Sequence, residues 1–104
     1  MYSQEKINEL VSQVKEASQP DKIYLFGSYA SGKAKDSSDI DLCIIKNGLQ
    51  DKQKELSKIK KTIFGLAIPV DILLFEEAAF DKRKNIWGSV QYEISRNGKV
   101  VYEK

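Results

Sequence analysis

The chain has 104 residues, 41% apolar and 31% charged, with a formal net charge of +2. That length fits one folding unit with one core and leaves little surface for holding a large second substrate, so any macromolecular acceptor is expected on another chain. The mixed charge excludes a disordered polymer and the weak positive balance gives no case for nucleic-acid binding, while the absence of histidine excludes Ser-His-Asp and Cys-His chemistry and, with a single cysteine, a structural zinc site.

From Ser3 to about Ala17, Ile7, Leu10, Val11 and Val14 recur at helical spacing behind a Ser3 N-cap, which predicts an amphipathic helix. Pro20 and Asp21 end it, and Ile23 to Phe26 reads as a short buried strand closed by Gly27. Gly27 to Ala34 is expected to turn into a short helix, and Lys35 to Ser38 to form a polar loop. Ile40 to Lys46 is a second strand, stopped by the Asn47-Gly48 turn. A helix over about 51–64 follows, with Leu56, Ile59 and Ile63 on one face and Lys54, Lys58 and Lys61 on a solvated one. Val70 to Phe75 (VDILLF) has the length and β-branched content of a central strand. Helical pieces over 76–84 and 89–96 come next, then a last strand over 99–103 after the Asn97-Gly98 stop. Trp87, Val90 and Ile94 are read as core or partner-interface residues, and Lys82, Arg83 and Lys84 as a solvated basic run. Alternating strands and helices over 1–104 give an α/β (α+β) domain: a mixed sheet of about four strands flanked by helices. No apolar run approaches the ~18 residues of a membrane span, no signal pattern opens the chain, and Cys43 in an apolar strand reads as a buried, reduced thiol, so a cytoplasmic protein without membrane contact is expected.

Three carboxylates break these patterns. Asp39 and Asp41 are two apart at the head of the second strand and would project to one side of it. Carboxylates held that close repel one another unless a cation lies between them, and oxygen-only donors suit Mg²⁺ or Mn²⁺. Asp71 is a lone charge in VDILLF, where an unpaired buried carboxylate costs several kcal/mol. If the second and third strands are neighbours, it joins the pair. Gly27-Ser28, at a strand-to-helix turn, could present backbone N–H groups and a hydroxyl to phosphate oxygens. By average residue usage, Gly-Ser followed at this spacing by Asp-x-Asp arises in roughly one chain in a thousand of this length.

GSYASGKAKDSSDIDL resembles the signature of the polymerase-β-like nucleotidyltransferase superfamily, and IPVDILLF resembles the strand that carries its third carboxylate. In size the chain is similar to the minimal nucleotidyltransferases. The resemblance implies that Gly27 and Ser28 hold nucleotide phosphates, that Asp39 and Asp41 are ligands of two Mg²⁺ ions, and that Asp71 completes the catalytic metal site and helps activate the attacking hydroxyl. It further implies AMP transfer from ATP to a tyrosine hydroxyl of a helical HEPN-type partner encoded nearby, as the antitoxin of a toxin-antitoxin pair, within a homo- or hetero-oligomer. Many relatives carry Arg where this chain has Ser31, with Lys33 or Lys35 as stand-ins or as plain loop lysines. The alternative reading is a weak or inactive nucleotide-binding subunit that acts on its partner by contact.

Overall fold

The computed structural model describes residues 1–104. Four strands, β1 (Lys22–Phe26), β2 (Ile40–Lys46), β3 (Val70–Glu76) and β4 (Lys99–Glu103), form one mixed sheet in the order β3-β2-β1-β4. β1 is antiparallel to both of its neighbours, while β2 and β3 run parallel. A parallel pair needs a long crossover. Here it contains helix α3 (Lys52–Ile63) and one 3₁₀ turn, Phe64–Leu66.

Strand parity sends alternate side chains to opposite faces. Ile23 and Leu25 of β1, Ile40, Leu42 and Ile44 of β2 and Leu74 of β3 pack beneath α3 and the first helix, α1 (Gln4–Ser18). The α1 stripe of Ile7, Leu10, Val11 and Val14 is buried there, and the Ser3 hydroxyl accepts from the Lys6 N–H at 3.2 Å, as the helical spacing predicts. The intervening residues Tyr24, Cys43 and Ile45 face the other side, against Phe80 of α4 (Glu77–Arg83) and Ile94 of α5 (Val90–Asn97). Burial pushes the Cys43 thiol up to about 12, so it is a packing group.

One expectation needs correction and another is narrowed. β3 is an edge strand, not a central one. Its apolar content has another cause: parallel strands are covered on both faces, so even an edge strand needs apolar residues on both. Trp87, expected in the core or at a partner interface, is 84% exposed, which excludes the core and leaves the interface, whereas Ile94 is buried. The Ser89 hydroxyl accepts from the Tyr92 N–H at 3.0 Å and starts α5 there, leaving Trp87 in the preceding loop.

Candidate active site

β1 ends where β2 and β3 begin. The registers set Phe26 opposite Asp41 and Asp41 opposite Asp71, so three adjacent strands bring Gly27, Asp41 and Asp71 to one end of the sheet. Asp41 shares parity with Cys43 and Ile45, which directs it to the α4/α5 side. Burial, then the neighbouring Asp71 carboxylate, then the charge of Asp39, raise the Asp41 carboxyl above its ordinary value. Asp71 is exposed at the sheet edge, so its charge sits in water rather than in a closed core. Asp39 is exposed in the loop before β2, close enough to act on Asp41.

Gly27 joins this cluster through its backbone. It has φ 72° and ψ −148°, a region that only glycine occupies without strain, and a Cβ built on it would run into the Asp41 carboxylate. Glycine is required for the carboxylate to lie against the chain. The next residues form α2 (Ser28–Ser31), a single turn in which the Gly27 carbonyl accepts from Ala30 and Ser31 N–H groups at 3.1 Å. It is shorter than the turn-plus-helix expected over 27–34, because Gly32 at φ 78° ends it in the left-handed region. Ser28 opens this turn. The Ser31 hydroxyl donates to the Ser28 carbonyl at 3.3 Å, bracing the turn and supplying no positive charge. Lys33 and Lys35 are exposed in the following loop.

The donors that converge are hard oxygens carrying more negative charge than the site neutralises, which fits a divalent cation. The geometric match is incomplete. Asp41 and Asp71 pair, but no three His, Cys, Asp or Glu side chains in the chain are arranged to hold one metal ion, and Asp39 stands outside the pair.

Beside Gly27 lies a groove of about 560 Å³, with Phe26, Gly27 and Ser31 on one side and Val90, Glu93 and Asn97 of α5 on the other. Glu93 and Asn97 are groove residues that the sequence did not single out. Both are exposed polar residues on an amphipathic helix, where the pattern alone equates them with solvated positions.

Residues 7–92 match the model of the nucleotidyltransferase domain family. A Methanocaldococcus jannaschii protein named as a protein adenylyltransferase is 32% identical over 81 residues, covering 78% of this chain and 77% of its own. A crystal structure named as a nucleotidyltransferase of Sulfolobus solfataricus superposes with a TM-score of 0.66 at 20% identity, over 96% of this chain and 79% of the other. A tri-AMPylated HEPN toxin of Shewanella oneidensis in complex with its MNT antitoxin matches with a TM-score of 0.61 at 19% identity, over 97% of this chain and 72% of the matched chain. At these identities the solved structures establish the fold. No helix is long and apolar enough to cross a membrane.

Proposed function

The chain belongs to the nucleotidyltransferase domain family, and on that premise we propose that it is a protein adenylyltransferase, moving AMP from ATP to a tyrosine hydroxyl of a helical HEPN-type partner as the antitoxin of a toxin-antitoxin pair. The observation that carries this reading is the in-register pair of Asp41 and Asp71 against the backbone of Gly27. The M. jannaschii relative supports a protein acceptor, and the AMPylated toxin held by a fold neighbour supports its kind. The reading places the protein in the cytoplasm, which supplies ATP.

In the proposed step the acceptor oxygen attacks the α-phosphorus of ATP as the bond to the departing pyrophosphate breaks. The hydroxyl proton passes to a carboxylate, and we assign this role to Asp71, exposed at the open edge of the sheet. Gly27 and Ser28 hold the triphosphate. Asp39, Asp41 and Asp71 would hold divalent cations, two Mg²⁺ ions in the full set, and these supply neutralisation of the entering and leaving oxygens. Phosphoryl-type transfer rests on positioning and charge rather than on a protein nucleophile, so a chain without histidine suffices.

A second reading is favoured by the missing cation at Ser31 and by the incomplete convergence of the three carboxylates. In it the chain neutralises its partner by contact alone. Incubating the purified protein with ATP, Mg²⁺ and the helical product of a neighbouring reading frame separates the two. Intact-mass spectrometry should show one or more adenylyl groups on the partner, lost when Asp39→Ala and Asp41→Ala are combined. Unmodified partner that is nonetheless neutralised by the double variant would replace the enzyme reading with the contact reading.

A further inference from the structure

The groove beside Gly27 has a chemistry unlike that of the carboxylate end. Its volume of about 560 Å³ lies within the range that encloses a small organic ligand. The only charged side chain on its walls is Glu93, and no lysine or arginine lines it. A triphosphate would meet an anion there and no counter-charge. An uncharged, hydroxyl-bearing aromatic ligand meets apolar walls from Phe26, Val90 and Ile94, together with polar groups from Glu93 and Asn97.

The polar pair is already ordered. The Asn97 side-chain N–H donates to Glu93 Oε1 at 3.0 Å, which leaves the Asn97 carbonyl oxygen and the second Glu93 oxygen as acceptors. Acceptors suit ribose hydroxyls and the amino group of adenine. Position agrees with chemistry. In the order β3-β2-β1-β4, Asp71 lies on one side of Asp41, and the groove lies on the other, where β1 runs through Gly27 into α2. An acceptor hydroxyl approaching Asp71 leaves the β1 side for the nucleotide.

We propose that this groove between α2 and α5 binds the nucleoside half of the triphosphate, with Asn97 and Glu93 reading its hydroxyl and amino groups. The proposal rests on the nucleotidyltransferase reading of the carboxylate end and assigns the part of the substrate that those carboxylates do not touch. Discrimination among nucleotides then comes from α5, while Gly27, Ser28 and the aspartates handle any triphosphate alike.

The test compares two probes by isothermal titration in Mg²⁺: α,β-methylene-ATP, which cannot be cleaved at the reacting bond, and inorganic tripolyphosphate, which has no nucleoside. Asn97→Ala removes one acceptor, and Val90→Trp fills the groove from a half-exposed helix start. Asn97 is exposed, so its variant should fold, and thermal melts of both variants check this. Each variant should weaken the nucleotide about tenfold, the scale of one hydrogen bond or more, with tripolyphosphate binding within twofold of wild type. Unchanged nucleotide affinity in both variants would overturn the proposal, even if acceptor affinity fell, since the groove would then serve the acceptor. Equal weakening of the two probes would also overturn it. Wild-type protein that binds tripolyphosphate but gains nothing from the nucleoside sinks this assignment alone; wild-type protein that binds neither probe sinks the nucleotidyltransferase reading with it.

Discussion

The two faces of the sheet are built from the same strands and do different work. Beneath α1 and α3 a cluster of 14 buried residues seals one face, where Ile40, Leu42 and Ile44 of β2 are fully buried and Lys46, at the strand end, pairs with Glu55 of α3. Beneath α4 and α5 the buried cluster has five residues, and the β2 positions directed there run Asp41, Cys43, Ile45. The first face therefore carries most of the hydrophobic stabilisation. This lets the second be apolar at one end and acidic at the other, because the repulsion it stores is offset across the sheet. One strand supplies both by alternating, so neighbouring residues should fail in different ways.

Leu42 and Asp41 give the sharpest contrast. Leu42→Ala opens a cavity on the sealed face and should cost about 2–5 kcal/mol in urea unfolding. Asp41→Asn should leave stability equal or higher, since it relieves repulsion from Asp71 and Asp39, while adenylyl transfer falls about 10²–10³-fold. An Asp41→Asn protein that loses stability as Leu42→Ala does would erase the division between faces. Gly27→Ala comes next in size. It should destabilise by about 1–3 kcal/mol through its disallowed backbone and displace the Asp41 carboxylate, so calorimetry and transfer assays should report losses together. If only activity falls, the backbone there is adaptable and the glycine serves the ligand alone.

The smallest effect is a pH dependence. Folding raises the Asp41 carboxyl above its ordinary 3.8, so in metal-free buffer, at pH values between the unfolded and the raised native one, the native state binds more proton than the unfolded chain. Stability from this group is present below the unfolded value and declines as pH rises through the raised native one. Asp41→Asn lacks the decline. The melting temperature of the variant should pull ahead of wild type as pH climbs from about 4 toward neutrality, and Mg²⁺ should close the gap. Parallel pH profiles would mean that Asp41 is not under strain from its neighbours.

Much of this was legible without coordinates. Helical spacing in α1, the runs of β1 and β2, and the glycines that end elements all follow from local periodicity and backbone preference, which act over a few residues. Gly27-Ser28 and Asp39-x-Asp41 were legible as a turn and a carboxylate pair from local chemistry, and as a nucleotidyltransferase signature only through their resemblance to that family. Whether Trp87 belongs to the core or to a surface was open in the sequence, because its spacing to Val90 and Ile94 is helical while the Ser89 cap leaves it in the loop before α5, exposed. VDILLF was read as central because apolar content reports covered faces and not covered edges.

The sequence by itself determined the order and approximate extent of the elements, the alternation of faces along each strand, and which carboxylates are out of place. Only the tertiary structure decided that β3 lies beside β2 with Asp71 in register against Asp41, that Gly27 gives that carboxylate its seat, and that α5 walls a groove next to it. Those facts depend on pairing between segments some 30 residues apart in β2 and β3 and farther still between Gly27 and α5. Pairing at that range is selected by the burial of whole faces together, and no local stretch encodes it.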